Sequence, residues 1–286
     1  MSKTFRNTIA LAAVLAILFL AFAASNFFAD RQESFPEFSN VEKISIAQAG
    51  QEFSIENVDA SSWVVNLPDG KRKPAEKQKV EDLIAQIKRT QILEQVSNNG
   101  ENQGKFYGLG ESERITVAVK DERGETSFQI GKSKFPGAFL AFQNESTFLA
   151  SENLRSTFAG NANSFREKNV LHFDSEKVDR VVVELEKAKG EKLEFSKGEE
   201  SWESEQVNDF LQKLQDVQTI GFFPAAETKG QILAKLTLSG SGESLLEITV
   251  EKQEEEFFLQ DAQVQDEIFK ISETSANLIT RQKTEN

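Results

Sequence analysis

Apart from carboxylates, this 286-residue chain has few of the side chains that serve as thiolate nucleophiles, imidazole bases or transition-metal ligands. It has no cysteine and one histidine, His172, which stands between Leu171 and Phe173. The absence of cysteine excludes disulfides and thiolate nucleophiles. One imidazole cannot assemble the common zinc or non-haem iron sites within one chain. His172 is therefore interpreted as a partly buried structural side chain and not as the base of a triad.

The chain contains one partial match to a local functional motif. Gly131-Lys132-Ser133 follows a predicted strand and resembles the end of a phosphate-binding loop, but Thr126 stands where that loop needs its first glycine. Gly131 is therefore predicted to be a turn residue that ends the strand. The sequence contains neither Gly-x-Ser-x-Gly nor Ser-x-x-Lys. We assign no catalytic, cofactor-binding or metal-binding residue, expect no cofactor, and leave any binding residues unknown.

Acidic residues dominate the charge, with 46 Asp and Glu against 33 Lys and Arg and a formal net charge of −13. This balance disfavours nucleic acid as a partner. The acids lack EF-hand spacing, and Glu254-Glu255-Glu256 is predicted to be a solvated turn. Carboxylate-only calcium or magnesium sites stay open. Paired acids for glycoside cleavage also stay open, because such pairs come from distant positions and leave no local pattern.

The amino-terminal segment is typical of a membrane address. Lys3 and Arg6 precede an apolar run at 9–24 that continues to Ala29. The segment 1–30 is predicted to be a signal anchor that crosses the inner (cytoplasmic) membrane once as a helix. The basic residues place the N-terminus in the cytoplasm and the body outside it, in the periplasm. A small-x-small site at residues 21–23 leaves cleavage by a signal peptidase as an alternative.

The remaining chain repeats one series of patterns, which must form the elements that position any site. Each copy has a β-branched run, a lone tryptophan (Trp63, Trp202), an amphipathic helix, an antiparallel meander and a short closing helix. Pro74 is predicted in the first turn of the first helix. The helix stripes have matching apolar spacing and are, in the two copies, Val80, Leu83, Ile84 and Ile87, then Val207, Phe210, Leu211, Leu214 and Val217.

These patterns predict the α+β class: two tandem similar domains, each an antiparallel sheet covered by one main helix and a short closing helix. Phenylalanine at alternating strand positions is interpreted as core. Phe165 and the apolar residues at 170–173 indicate that the linker packs against a domain. The predicted boundaries are 1–30 for the anchor, 31–40 for a tether, 41–158 for the first domain, 159–177 for the linker and 178–286 for the second domain.

Phe106-Tyr107-Gly108-Leu109, placed before a meander that contains Ile130-Gly131, carries a family resemblance. With the preceding tryptophan and helix, it resembles the bacterial domain of unknown function 4340. The resemblance implies a membrane-anchored extracytoplasmic protein without an established activity, often encoded beside ABC-type transporter subunits, with some members similar to gliding-motility components. From the residues themselves, Tyr107-Gly108-Leu109 is predicted to be a turn in which glycine allows positive φ.

The sequence is consistent with three hypotheses about function. The leading hypothesis is a noncatalytic protein that contacts an envelope membrane protein, such as an ABC-type transporter subunit or a surface-assembly component. The first alternative is a glycan- or peptide-binding module that uses the cleft between the copies. The second is a carboxylate-dependent hydrolase of envelope glycans. The leading hypothesis is motivated by the membrane address together with the lack of recognisable catalytic motifs.

Overall fold

The computed structural model describes residues 34–59, 62–142, 145–186, 191–198, 202, 204, 206–225 and 230–280. These residues form two compact units. Unit 1 holds the described residues up to 72 and from 78 to 160, and unit 2 holds 73–77 and those from 161 onward. Within the described ranges, no helix is both long enough and apolar enough to cross a membrane. The predicted anchor, 1–30, lies outside them.

Unit 1 is built on an antiparallel sheet. Its strand order is β4-β3-β2-β1-β6-β7-β8-β9-β5. The described elements in chain order are β1 (Val41–Gln48), β2 (Gln51–Asp59), β3 (Ser62–Asn66), β4 (Arg72–Pro74), α1 (Lys77–Arg89), β5 (Ile92–Ser97), α2 (Glu101–Tyr107), β6 (Ile115–Asp121), β7 (Gly124–Lys134), β8 (Gly137–Ala141), β9 (Thr147–Ala150) and α3 (Leu154–Phe158).

Unit 2 has a second antiparallel sheet, with the order β11-β10-β13-β14-β15-β16-β12. Two short 3-10 turns, Ala162–Phe165 and Ser175–Lys177, precede its strands. The described elements are β10 (Arg180–Leu185), β11 (Glu191–Ser196), α4 (Gln206–Gln215), β12 (Thr219–Pro224), β13 (Gln231–Gly240), β14 (Glu243–Gln253), β15 (Glu256–Asp261), β16 (Glu267–Ile271) and α5 (Glu273–Thr280).

The two sheets share one topology. The run β2-β1-β6-β7-β8-β9-β5 of unit 1 corresponds strand by strand to the whole order of the unit 2 sheet. The helices α1 and α4 each follow the first strands, and α3 and α5 each follow the last strand. The described residues form mostly antiparallel sheet with a few helices. The predicted α+β class is therefore confirmed.

The main helices are amphipathic because their apolar residues recur at helical spacing. In α1 the side chains of Val80, Leu83 and Ile87 are buried. In α4 the buried set is Val207, Phe210, Leu211 and Leu214. The predicted stripes are confirmed at these positions, whereas Ile84 is half-buried and Val217, although buried, lies beyond the end of α4. The placement of Pro74 in the helix was wrong, because it is the last residue of β4 and the helix begins at Lys77.

The segment between the predicted domains is packed. Phe165, Val170 and Leu171 are buried. Val170 and Leu171 belong to the hydrophobic core of unit 2, which also contains Trp202 and the buried face of α4. The prediction that this segment packs against a domain is confirmed.

Residues 34–40, part of the predicted tether, also pack against a sheet. The side chains of Phe35 and Phe38 are buried. The Phe35 ring lies 5.3 Å from the ring of Phe128 in β7, edge to face. The main-chain N–H of Ser39 donates to a carboxylate oxygen of Asp121 at 3.1 Å. Aromatic burial and this hydrogen bond hold the segment on unit 1.

Candidate functional site

The turn after α2 is the structural centre of the candidate site. Gly108 ends the helix in the left-handed conformation, with φ of 68°. The N–H of Leu109 donates to the carbonyl oxygen of Gln103 at 3.0 Å, and the Leu109 side chain is buried. Glycine is favoured at such a helix end because it has no Cβ to clash. The predicted turn with positive φ is confirmed. The helix α2 itself was missed, because it has no buried residue and so leaves no apolar stripe in the sequence.

Tyr107 fixes this turn against the sheet. Its hydroxyl donates to the carbonyl oxygen of Val96 at 3.2 Å, and its ring lies 4.8 Å from the ring of Phe139. Its own carbonyl oxygen is pressed so close to Gly131 that a Cβ there would overlap it. Gly131 lies inside β7, where the pairing of β7 with β8 is irregular between Ile130 and Ser133. The prediction that Gly131 ends the strand was therefore wrong. A close backbone approach, rather than a turn, requires glycine here.

Two large exposed aromatic side chains lie on the elements that meet at this turn, α2 and the β7–β8 hairpin. Phe135 is 92% exposed at the tip of the β7–β8 hairpin, and Phe106 is 56% exposed on α2. The Lys105 ammonium lies 5.0 Å from the centre of the Phe106 ring. We call these residues, together with the exposed Lys132 and Lys134, the Phe106–Phe135 surface.

The lysines of this surface differ in their partners. Lys132 packs over Gly108, and its ammonium lies 3.6 Å from a carboxylate oxygen of Glu113. Among the described residues, Lys134 forms no ion pair. Exposed ion pairs contribute little energy, so the surface combines large apolar side chains with available positive charge in a chain whose net charge is negative.

The equivalent hairpin of unit 2 has the opposite charge. It joins β14 to β15 through a turn at Glu254 and Glu255, with Glu254 in the left-handed region at φ of 53°. The predicted turn is confirmed at these two residues, while Glu256 begins β15. The same position in the shared topology thus has lysines and a phenylalanine in unit 1 but glutamates in unit 2.

Unit 2 contains a buried ionic centre. The Arg166 guanidinium donates to both carboxylate oxygens of Glu267 at 2.7 Å, and the Lys73 ammonium lies 3.0 Å from one of them. The Phe222 ring lies 3.6 Å from the Arg166 guanidinium carbon. Burial opposes ionisation of Glu267, but hydrogen bonds and charges from Arg166 and Lys73 outweigh it and lower the pKa. The Glu267 carboxylate is therefore held in its ionised form, with both oxygens paired to cations. A carboxylate in this state is unsuited to act as a proton donor.

The histidine prediction needs correction. His172 is exposed, not partly buried, although Leu171 beside it is buried and Phe173 packs against the core of unit 2. Asp261 has a raised pKa because of burial, while the N–H of Gln263 and the charge of His172 oppose the shift. Across the described residues, no three His, Asp or Glu side chains are grouped so that they could hold a metal ion.

The chain is thus an α+β protein whose two sheets share one run of strands, with Phe106 and Phe135 exposed beside lysines in unit 1. Comparison with known families matches residues 63–236 to the family described as a domain of unknown function (DUF4340). The match covers more than half of the chain, so the protein belongs to this family, and the resemblance carried by Tyr107–Leu109 and Gly131 is confirmed. No curated protein and no solved structure matches the chain.

Proposed function

We propose that this is a noncatalytic protein, anchored in the bacterial inner membrane by residues 1–30, that acts by contacting an envelope membrane protein. The partner is an ABC-type transporter subunit or a component of surface assembly. The observation that carries the proposal is Phe135, a large apolar side chain that is 92% exposed at the tip of a hairpin.

The chemistry of the Phe106–Phe135 surface supports a protein partner. Aromatic side chains at the centre of an interface supply much of the binding energy when a partner removes them from water. Lys105 and Lys134 beside them would steer an acidic partner surface and set its orientation. We therefore expect an acidic rim around an apolar pocket on the partner.

The proposal of a noncatalytic role rests on the available chemistry. The sequence offers no thiol and a single imidazole. Glu267, a buried acid, is paired with Arg166 and Lys73 within unit 2. These residues maintain structure instead of facing a substrate.

Site-specific photocrosslinking in intact cells tests the proposed contact. A photoreactive amino acid replaces Phe135 in the full chain, and a matched chain has it at Val58, which is also exposed, at 54%, on β2 of the same unit. We expect an adduct with one membrane protein from position 135 and not from position 58. Addition of Lys134→Glu should reduce that adduct, because it would repel an acidic rim.

Three results would contradict the proposed contact: no adduct from position 135, equal adducts from both positions, or an adduct that Lys134→Glu leaves unchanged. Anchoring is tested separately by alkaline extraction of membranes, in which the full chain should stay with the lipid. Release into the soluble fraction would indicate that the leader is cleaved.

A further inference from the structure

Unit 2 has a polar groove beside its tryptophan that is separate from the Phe106–Phe135 surface. The groove has a volume of about 580 Å³, which is within the range of small-molecule sites. Trp202 and Leu211, both buried, form part of its wall. Trp202 is held by a β-bridge to Lys197, whose N–H donates to the carbonyl oxygen of Asp179 at 2.8 Å. The aromatic wall is thus attached to the sheet.

One face of α4 supplies carboxamides to this groove. Asn208, Gln212 and Gln215 line it and recur at the spacing that places them on one side of a helix. The side-chain N–H of Gln215 donates to the carbonyl oxygen of Phe173 at 2.9 Å, which fixes the orientation of that amide. Each carboxamide can both donate and accept hydrogen bonds.

The corresponding face of α1 in unit 1 lacks this chemistry. Alignment of the two buried stripes puts Glu81, Ala85 and Lys88 where α4 has its three amides. The shared fold therefore does not require amides at these positions. Their presence in unit 2 is a property of this copy.

The groove is also close to neutral. Its charged lining residues, Glu176 and Lys197, have opposite signs, and Ser175 adds a hydroxyl. A neutral lining gives no advantage to an anionic or cationic ligand. Carboxamides and a hydroxyl suit a ligand that presents many hydroxyl groups, each able to donate and accept.

We propose that this groove binds a neutral oligosaccharide. The amides of Asn208, Gln212 and Gln215 hydrogen-bond to sugar hydroxyls, and the edge of Trp202 contacts an apolar face of a sugar ring. The site is entirely within unit 2 and does not depend on the proposed protein partner. A peptide is the less suitable occupant, because the α4 face offers no strand edge for its backbone to pair with.

The two tryptophans of the chain allow a direct test. In the detergent-solubilised full chain, Trp63→Phe leaves Trp202 as the sole indole reporter. We expect saturable changes in its fluorescence on titration with maltotriose or triacetylchitotriose, and no such change with sorbitol. Saturation-transfer NMR on the unsubstituted chain provides a second readout that does not depend on the Trp63 substitution.

Variants of α4 then locate the site. Gln212→Ala and Asn208→Ala should each weaken binding by about tenfold, the effect of losing one or two hydrogen bonds. Lys213→Ala, an exposed residue of the same helix outside the groove, should leave binding unchanged. Circular dichroism of each variant verifies folding.

Several results would overturn the proposal: no saturation with either sugar in both readouts, binding that survives both amide substitutions, or equal weakening by Lys213→Ala. Saturation by a capped neutral tripeptide without a response to the sugars would also overturn it, and would assign the groove to peptides. Loss of photocrosslinking at Phe135 would leave these measurements unaffected, so the two proposals can fail independently.

Discussion

At the scale of single residues, Gly131 and Gly110 lie near the same turn but have different surroundings. A Cβ on Gly131 would overlap the Tyr107 carbonyl oxygen, whereas the nearest atom to a Cβ on Gly110 is the Cα of Gly104 at 3.5 Å. Backbone atoms cannot move aside as the end of a flexible side chain can. The glycine requirement is therefore specific to position 131.

We predict that Gly131→Ala lowers the free energy of unfolding of unit 1 by about 1–3 kcal/mol, as overpacking does. Gly110→Ala should change it by less than about 0.5 kcal/mol. Urea unfolding followed by Trp63 fluorescence in a Trp202→Phe background reports on unit 1. Equal effects of the two substitutions would contradict the close approach of Tyr107.

The ionic centre of unit 2 gives a prediction that depends on pH. Glu267→Gln leaves the Arg166 and Lys73 charges without their carboxylate, and loss of one partner of a buried pair costs about 3–5 kcal/mol. Because the folded pKa of Glu267 is lowered, its contribution is fully present above its unfolded pKa and is lost as the pH falls through the lowered pKa. The difference between the variant and the unsubstituted chain should therefore shrink in acid.

The measurement is urea unfolding at a series of pH values in a Trp63→Phe background, with Trp202 as the reporter of unit 2. Glu256→Gln is the matched control, because Glu256 pairs with Lys270 at an exposed position and such pairs contribute at most about 1 kcal/mol. A Glu267→Gln effect that stays constant from neutral to acid pH would show that the carboxylate charge is not what stabilises the centre.

These residues also show what sequence can and cannot reveal. The Gly108 turn was predictable because its signal is local, a glycine between residues that pack. The role of Gly131 was not, because the atom that excludes a side chain comes from another element. Arg166 and Glu267 are 101 positions apart, so no spacing rule connects them. His172 was misplaced because apolar neighbours in sequence do not fix which way an exposed backbone directs one side chain.

At the scale of elements, β5 and β12 end their sheets in the same way. Each pairs with the preceding strand of the order through a bulge, between Ile92 and Glu94 in one and between Thr219 and Gly221 in the other. The bulged residue is a large exposed aliphatic in both, Leu93 at 43% and Ile220 at 64%. A bulge interrupts the regular edge and so hinders unwanted pairing with another chain.

We predict that Ile220→Lys changes the free energy of unfolding of unit 2 by less than about 0.5 kcal/mol, because the residue is exposed and outside the strand register. The matched substitution on the neighbouring strand β16, Ile268→Lys, should cost more than about 3 kcal/mol, because it buries an ammonium without a partner. Thermal unfolding of both variants is the measurement. A comparable loss from Ile220→Lys would mean that the bulge is packed.

The sequence predicted the presence of helices and strands better than it predicted which strands pair in the sheet. Helix stripes and alternating strands were recognisable because their periodicity is local. The positions of β5 and β12 beside β9 and β16 were not, because pairing between distant strands depends on tertiary packing. Likewise β4 has three residues, too few to show an alternating pattern.

At the scale of the whole molecule, the packed segment at 34–40 restricts how the proposed anchor can hold unit 1. Three residues, 31–33, separate that segment from the predicted span, and their reach is at most about 10 Å. The segment enters β1 beside the β6–β7 turn, where the Ser39 N–H donates to Asp121. Phe35, close to the start of the segment, contacts Phe128 and Phe142, which lie away from the β7–β8 tip. The proposed anchor would therefore keep this part of unit 1 closer to the lipid surface than the tip.

The Phe106–Phe135 surface is at the other end of β7. From Phe128, which Phe35 contacts, to Lys134 the strand extends by about 20 Å. We predict that spin labels placed singly at Arg123, in the β6–β7 turn, and at Phe135 in reconstituted full-length chain give different lipid proximities. A label at 123 should be relaxed more strongly by a paramagnetic headgroup lipid than a label at 135. The tip would then face the periplasm, where only a partner that extends beyond the bilayer can reach it. Stronger relaxation at 135 would reverse this orientation and would place Phe135 against the lipid instead of a protein.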